Sequence, residues 1–272
     1  MCSNSTIEFM DTRSIATLPV LFIGHGSPMN AIETNAFTQA LARLGTSLPR
    51  PRAVLCISAH WLTEGTWVTH MAQPRTIHDF YGFPKDLFDV QYPAPGSSEV
   101  AEIIRAEILN PSISLDDANW GLDHGTWAVL KHLYPMADVP VLQLSIDARQ
   151  PPEFHHRLGQ QLKVLRDRGV LIVGSGNVVH NLRRVDMDPD AKAFDWAVEF
   201  DEWVKGRLLV RDHAALVTDF LKTKAGQMSV PTLDHYLPLL YVLGATENGE
   251  ALQFEYESMQ HASISMRSFQ IG

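Results

Sequence analysis

The chain has 272 residues, of which 45% are apolar and 19% are charged, and this ordinary globular composition excludes long disorder, a collagen-like repeat and a coiled coil. The formal net charge of −9 disfavours a phosphate backbone as a partner, so we expect no nucleic acid to bind. No basic start precedes an apolar segment at the N-terminus, and no apolar run reaches the roughly 18 residues of a membrane span, so neither export nor a membrane partner is expected.

The length and the two cysteines predict the organisation of the chain and its compartment. A chain of this size can form one large domain, so we expect a single domain over 1–272, with 1–17 disordered. Cys2 lies near the chain start and Cys56 lies in a predicted buried strand. No disulfide is expected, which indicates a reducing compartment and therefore the cytoplasm. Whether the chain forms a homo-oligomer is left open by the sequence.

From residue 18 to residue 176, apolar segments alternate with amphipathic ones. The apolar segments are continuous, as is typical of strands buried on both faces. They cover 18–24, 53–59, 139–146 and 170–176. The helical patterns cover 35–45, 97–109, 124–134 and 151–169. This alternation predicts an α/β fold with a mainly parallel central sheet and helices on both faces.

Residues 73–97 interrupt this alternation with many prolines, glycines and aromatic residues. A long loop of this kind usually forms a wall or lid over a site. Phe80, Tyr81 and Phe83 are candidates to cover a planar ligand and exclude water, although packing within the loop explains them equally well. His78 is a further candidate for substrate contact.

After residue 185 the pattern is mostly helical. Helices are predicted within 190–209, 213–221 and 233–245. Two strand-like segments, 251–258 and 262–270, follow. We expect these two strands to extend one edge of the same sheet.

Five of the 12 histidines stand at the ends of predicted elements. His25, His60 and His180 follow predicted strands, and ligands of open α/β sheets bind beyond the carboxyl ends of the strands. His124 and His235 each follow a Leu-Asp pair, whose aspartate either caps a helix or accepts an N–H from a histidine. One such histidine alone is best explained as a cap, a turn residue or a buried core residue, but five favour a common site.

The residue types favour a metal. Neutral imidazole is the commonest metal ligand in proteins, and a histidine cluster with few cysteines favours zinc, iron, copper or nickel over magnesium or calcium. We predict a metal site formed by His25, His60, His180 and His235. Four other histidines are expected on the solvent side of helices: His132, His155, His156 and His213. His70 and His261 are not assigned.

Six segments, in this order, resemble the class III extradiol ring-cleaving dioxygenases, in the branch of 4,5-DOPA dioxygenases. They are "FIGHGSPMNAIE", "CISAHW", "IHDFYGFP" with "YPAPG", "GLDHGTW", "VLIVGSGNVVHNLR" and "LDHYLPLLYVLGA". The signatures of nucleotide-binding loops, serine hydrolase elbows and zinc ribbons are missing from the sequence. The resemblance runs from about residue 18 to the final "SMRSF", and it implies an enzyme that inserts O2 into a catechol ring.

The resemblance also implies roles for the five histidines. His25 and His60 would bind the metal, and His235 would take the place of a glutamate in more distant class III enzymes. His180 would be the acid/base beside the metal, and a fourth ligand in zinc-loaded relatives. His124 would line the substrate pocket.

Fe(II) is the expected cofactor, since three facial ligands leave adjacent positions open for the catechol and O2. Zn(II) would occupy the same histidines but is redox-silent, so that form would be inactive. Three neutral imidazoles leave the full charge on the ion, which favours an anionic catecholate and raises the reduction potential of iron. We expect His180 to take a proton from the catechol hydroxyl and later return one, which requires a pKa near neutrality, and His124 to stabilise charge on oxygen.

Two other functions stay open. A zinc hydrolase could use the same scaffold, with metal-bound water attacking an amide or ester. A non-catalytic metal-binding protein could keep the fold without the chemistry. Dependence on O2 separates the first hypothesis from the hydrolase, and replacement of His180 separates both enzymes from the third. The natural substrate and the position of ring cleavage stay open.

Overall fold

The computed structural model describes residues 17–272. Its strands are β1 (Val20–Gly24), β2 (Ala53–Ser58), β3 (Leu62–Thr63), β4 (Thr66–Thr69), β5 (Ile113–Asp116), β6 (Val141–Gln143), β7 (Ile146–Asp147), β8 (Val170–Gly176), β9 (Leu252–Tyr256), β10 (Met259–Gln260), β11 (Ile264–Ser265) and β12 (Ser268–Ile271). Its α-helices are α1 (Ala36–Ser47), α2 (Lys85–Phe88), α3 (Ser98–Glu107), α4 (His124–Leu133), α5 (Pro152–Leu162), α6 (Asp195–Leu209), α7 (His213–Thr218), α8 (Lys224–Ser229) and α9 (Leu237–Gly244). The segment 1–17 was expected to be disordered, and all of it except residue 17 lies outside the described residues. Cys2 lies outside them as well.

The central sheet has six strands in the order β6-β2-β8-β1-β12-β9. The four strands β6, β2, β8 and β1 run parallel to one another. β12 is antiparallel to β1, and β9 is antiparallel to β12. The sheet is therefore mainly parallel with an antiparallel edge, which confirms the predicted fold class and the edge position of the C-terminal strands. The predicted strand over 262–270 divides, however, into β11, which pairs with β10 outside this sheet, and β12.

Both faces of the sheet are covered, which explains why its strands are apolar without alternation. Within β1, Val20 and Phe22 belong to one core cluster, and Leu21 and Ile23 belong to the other. The first cluster includes apolar side chains of α3, α5, α6, α7 and α9. The second includes apolar side chains of α1 and α4.

Some predicted boundaries are wrong. The segment 139–146 is not one strand, because β6 ends at Gln143 and β7, which pairs with β3, begins at Ile146. The helix predicted over 151–169 changes at Lys163 to a 3-10 helix that ends at Arg168, before Gly169. The helix predicted in 233–245 begins only at Leu237, with Pro238 in its first turn, where no N–H is needed.

Two helices on one face of the sheet approach each other closely. A Cβ atom placed on Gly159 of α5 would lie 2.3 Å from the carbonyl oxygen of Tyr241 in α9. Glycine at this position therefore lets the two helix backbones come into contact.

A buried arginine links the C-terminal strands to α6. Arg267 is 1% exposed, and its guanidinium donates to both carboxylate oxygens of Asp201 and to Glu257. Asp201 also accepts from the Ser265 hydroxyl.

The helices of residues 17–272 include none with the length and apolar character that a membrane span requires.

Candidate metal centre

His25 is placed by the abrupt end of β1. Its backbone N–H donates to the Gly176 carbonyl at 3.2 Å, so pairing with β8 continues one residue past the strand. A Cβ atom on Gly24 would lie 2.8 Å from the Ser265 carbonyl oxygen. Only glycine allows the C-terminal segment to pass this close. The His25 side chain is 4% exposed.

The hydrogen bonds of Ser175 decide which nitrogen of His25 is free. Ser175 Oγ donates its one proton to the Gly125 carbonyl at 2.5 Å. It must therefore accept from His25 Nδ1, which lies 2.9 Å away. The neutral imidazole then has no proton on Nε2, which is the form that binds a metal.

His60 brings a second Nε2 to the same place. It follows β2, and its Nε2 lies 3.2 Å from His25 Nε2. Its Nδ1 lies 3.4 Å from Asp79 Oδ2, close enough for the carboxylate charge to act on the ring but without a hydrogen bond, since Asp79 accepts from His124. The two inner nitrogens, His25 Nε2 and His60 Nε2, therefore face each other at a distance that one bound ion could bridge.

His235 completes the group from the turn before α9. Its Nδ1 donates to Asp234 Oδ2, and its carbonyl accepts from the backbone N–H of Asn177 at 2.9 Å. Of the two roles expected for an aspartate before a histidine, Asp234 accepts the N–H, whereas Asp123 caps α4 by accepting from the Thr126 N–H.

The three histidines fit a metal ion. One nitrogen each from His25, His60 and His235 lies within 4.8 Å of the other two. Imidazole nitrogens bound at about 2.0–2.1 Å from one tetrahedral ion lie about 3.3 Å apart, close to the 3.2 Å between His25 and His60. A donor set of three imidazoles suits iron, zinc, copper or nickel.

Burial keeps these side chains in the neutral form that a metal requires. Burial, followed by the neighbouring histidines, lowers the pKa of His25 and of His235 well below the usual range. Burial also lowers the pKa of His60 to about 3, although Asp79 opposes the shift. At neutral pH all three imidazoles are therefore uncharged.

His180 lies beside this group and stacks on one of its members. Its ring is parallel to that of His235, with centroids 3.5 Å apart. One nitrogen of His180 falls in a second close group, with Asp234 and His235. Burial lowers the pKa of His180 to about 4, with Asp234 opposing, which is below the near-neutral pKa expected for its acid/base role. Within residues 17–272 its ring has no hydrogen-bond partner, so both nitrogens are free for a substrate or an ion.

His124 is the first residue of α4 and is held by Asp79. Asp79 Oδ1 accepts from the His124 backbone N–H, and Oδ2 accepts from Nδ1, both at 2.9 Å. Burial opposes ionisation of Asp79, but the hydrogen bonds and charge of His124 outweigh it and lower the pKa of Asp79 to about 2. The Asp79 contact at Nδ1 leaves His124 Nε2 as the nitrogen available to a ligand. Its ring lies 4.0 Å from that of His60.

A buried carboxyl group connects the strand ends behind the histidines. Asp123 is fully buried and accepts from Ser58 at the end of β2 and from Gln143 at the end of β6. Burial, and then the charge of Asp79, raise the pKa of Asp123. This network fixes the start of α4, and with it His124, relative to the sheet.

The loop 73–97 reaches the site through Asp79 and Phe80. The Phe80 ring meets that of His124 edge-on, with centroids 5.6 Å apart. His78 Nε2 donates to the Val90 carbonyl at 2.9 Å, so this side chain holds the loop together. Phe83 packs edge-on against Phe80, and Tyr81 is 92% exposed. Contact of His78, Phe80 and Tyr81 with substrate stays a prediction.

Sequence reasoning missed Asp79 and Ser175, and it misplaced one histidine. His155, expected to face solvent, is fully buried, and its Nδ1 is 2.8 Å from the Tyr241 hydroxyl. A signal was present, because His155 shares the apolar face of α5 with Leu158 and Leu162. Asp79 had no signal of this kind, since its loop has no periodicity.

The chain is similar to known proteins along almost its whole length. Residues 19–268 match the family described as the catalytic LigB subunit of aromatic ring-opening dioxygenase. The 4,5-DOPA dioxygenase extradiol of Escherichia coli K12 is 48% identical over 95% of this chain and 96% of that protein. The 4,5-DOPA dioxygenase extradiol of Beta vulgaris is 34% identical over 91% of this chain and 94% of that protein. The crystal structure of an uncharacterised Escherichia coli K12 protein matches with a TM-score of 0.82 and 44% identity, over 94% of this chain and all of the other.

Proposed function

The chain belongs to the family of catalytic LigB subunits of aromatic ring-opening dioxygenases, and from this premise we propose that it cleaves the ring of a catechol related to DOPA with O2. It is an extradiol dioxygenase by family. One observation carries the proposal: His25, His60 and His235 bring one ring nitrogen each to within 4.8 Å of the others, and the rings of His124 and His180 lie against two of these histidines. Both the substrate and the site residues are part of the proposal.

The proposed ligands are His25, His60 and His235, with Fe(II) as the active cofactor and Zn(II) able to occupy the same nitrogens. When bound, ferrous iron offers adjacent positions to the catechol oxygens and O2 and lets electron density pass between them. Ser175 and Asp234 hold His25 and His235 in one tautomer, and the charge of Asp79 lies 3.4 Å from His60 Nδ1. His180 is placed either to act as a fourth ligand or to move protons.

The two flanking histidines suit proton transfer. The available Nε2 of His124 can accept a proton from a catechol hydroxyl, and Asp79 at its Nδ1 then stabilises the imidazolium. Stabilisation of negative charge on oxygen, the role expected from the sequence, requires this protonated form. His180, with both ring nitrogens free, is the proposed group that takes a proton from the second hydroxyl and later returns it.

The loop 73–97 supplies the proposed ring-binding surface. Phe80, against His124, is positioned to pack on a planar substrate and exclude water. We further propose that the chain forms a single catalytic domain and is located in the cytoplasm. Its proposed partners are O2 and a small catechol, and whether it forms a homo-oligomer is left open. The net charge of −9 supports the absence of nucleic acid among them.

The test measures oxygen uptake. Metal-stripped protein is reloaded without air with Fe(II) or with Zn(II), then given L-DOPA and air. We expect stoichiometric O2 consumption and a yellow ring-opened product in the iron sample alone. Uptake in neither sample, across a panel of catechols, would overturn the proposal and favour the zinc hydrolase or a protein that keeps the fold without the chemistry.

Replacing His180 tests its role. His180→Ala should lower kcat by about 10²- to 10⁴-fold, the usual contribution of a general acid or base, while the bound iron stays at one ion per chain. His70→Ala, which removes a histidine paired with Asp117, is the control and should retain wild-type kcat. Loss of iron from His180→Ala would instead identify His180 as a ligand, and unchanged kcat would refute the catalytic role.

A further inference from the structure

Two of the three proposed ligands are backed by a carboxylate on the nitrogen that faces away from the metal. Asp79 Oδ2 lies 3.4 Å from His60 Nδ1, and Asp234 Oδ2 accepts from His235 Nδ1. The third ligand, His25, has the neutral hydroxyl of Ser175 in the same position. The two carboxylates come from different parts of the fold, the loop 73–97 and the turn before α9.

Neither carboxylate is neutralised by a basic side chain. Among the ion pairs of residues 17–272, Asp79 meets only His60 and His124, and Asp234 meets only His235. Asp79 and Asp234 are 14% and 23% exposed, so solvent screens their charges only in part. Two negative charges therefore lie one imidazole away from a site whose direct ligands are all uncharged.

We propose that Asp79 and Asp234 are positioning residues that supply, through His60 and His235, the negative charge that three imidazole ligands lack. Asp234 accepts the His235 Nδ1 proton, which makes that ring a stronger donor at Nε2 and holds it in the metal-binding tautomer. Asp79, whose hydrogen bonds go to His124, acts on His60 through its negative charge at 3.4 Å. Two carboxylates carry the charge needed to balance a divalent ion. The positive charge that three neutral ligands leave on the ion is therefore balanced by Asp79 and Asp234, which lie behind the ligands His60 and His235. The inference rests on the metal centre of the proposed function.

Two kinds of substitution separate the effect of the carboxylate charge from its effect on the orientation of the histidine ring. Asparagine at either position keeps an oxygen that can accept the Nδ1 proton but has no charge, whereas alanine removes both. If charge is what matters, Asp79→Asn should weaken metal binding nearly as much as Asp79→Ala. Such outer partners typically contribute 10- to 100-fold to metal affinity.

The experiment measures affinity for redox-silent ions, so it does not depend on ring cleavage. Metal-stripped wild-type protein, Asp79→Asn, Asp234→Asn, Asp79→Ala and the double asparagine variant are titrated with Zn(II) and Co(II) against a competing chelator. We expect about 10- to 100-fold weaker binding for each asparagine variant. Because the two residues contact different ligands, the losses should multiply in the double variant. The stoichiometry should stay at one ion per chain.

The matched control removes the same kind of contact elsewhere. Asp117→Asn neutralises a carboxylate that accepts from His70 Nδ1 at 2.6 Å on the surface, and it should leave the affinity unchanged. Circular dichroism and thermal melting verify that each variant is folded. Should Asp79→Asn not fold, Asp234→Asn, on another element, decides the question alone.

Three results would overturn the inference. Wild-type affinity in both asparagine variants, with weak binding in Asp79→Ala, would reduce the carboxylates to orienting groups. Binding of two ions per chain, one of them lost in Asp79→Asn, would make Asp79 a direct ligand. Wild-type protein that binds neither ion would remove the metal centre, and the proposed function with it. The first of these results refutes the charge role alone and leaves the proposed function standing.

Discussion

His155 is a buried histidine that the proposed chemistry does not use. Its Nδ1 meets the Tyr241 hydroxyl at 2.8 Å, and its Nε2 lies 3.4 Å from the Gln150 carbonyl. Burial lowers the pKa of His155 to about 4, although the Gln150 carbonyl and Asp147 oppose the shift. The folded protein therefore keeps this ring neutral at pH values where the unfolded chain protonates it.

This difference makes stability depend on pH. The unfolded state binds more protons between about pH 6.5 and pH 4, so the free energy of unfolding falls as the pH drops through that range. Between pH 7.5 and pH 5 the contribution of His155 is about 2 kcal/mol. Urea unfolding of the metal-stripped protein at both pH values should show that His155→Leu loses less stability on acidification than wild type.

The neighbouring variant Phe154→Leu serves as the control and should keep the wild-type pH dependence. The buried histidines of the metal centre act in the same direction, so the quantity compared is the difference between variants. Equal pH dependence in His155→Leu and wild type would contradict the prediction. Lower stability of His155→Leu at both pH values, from the unpaired Tyr241 hydroxyl, would not.

Single residues could be predicted from the sequence where a rule of topology applies to them. His25, His60 and His180 follow strands whose carboxyl ends meet at one edge, so their convergence was predictable. Asp79 and Ser175 were not, because their roles depend on contacts across 45 and 150 residues of chain. Those contacts leave no local pattern.

At the scale of elements, the approach of α5 to α9 depends on the small size of Gly159. The Cβ atom of alanine would meet the Tyr241 carbonyl at 2.3 Å, and the rigid backbone of a buried helix cannot yield cheaply. Gly159→Ala should therefore lower the free energy of unfolding by about 1–3 kcal/mol. Chemical denaturation measures the change.

Gly206 provides a matched control within a helix. A Cβ atom there meets nothing within 4 Å, so Gly206→Ala should raise stability by up to about 1 kcal/mol through helix propensity alone. Opposite signs for the two substitutions are the expected result. A stabilising Gly159→Ala would show that the two helices separate without cost.

Elements were predictable where one pattern persists over several residues. The strands at 20–24, 53–58 and 170–176 match continuous apolar segments. The segment 139–146 has the same pattern but divides, because Leu144 and Ser145 donate their backbone N–H groups to Cys56 and Trp67 between the two strands. Such a division depends on which partners are available in space, and apolar periodicity does not include that information.

At the scale of the whole molecule, Arg267 connects α6 with the C-terminal strands. Arg267→Met would leave the buried Asp201 without its main partner, and breaking a buried ion pair in this way costs about 3–5 kcal/mol. Urea unfolding should show a loss of this size. Arg168→Met, which removes an exposed pair with Glu107, is the control and should cost less than about 1 kcal/mol.

A loss below 1 kcal/mol in Arg267→Met would contradict this account. Asp201→Leu combined with Arg267→Met should recover part of the stability, because the buried carboxylate is then removed together with its partner. The sheet order could be anticipated only in outline. The C-terminal strands were expected at an edge, and they do form one, with β12 next to β1.

The place of β1 in the sheet determines when the histidine site can form during synthesis. β1 leaves the ribosome early, but its neighbours are β8 and β12, and the contacts His25–Ser175 and Gly24–Ser268 join residues 150 and 244 positions apart. His235 also emerges late. A growing chain therefore exposes His25 and His60 long before His235 is available to complete the proposed site. We expect the metal to bind to the completed chain rather than to the nascent one.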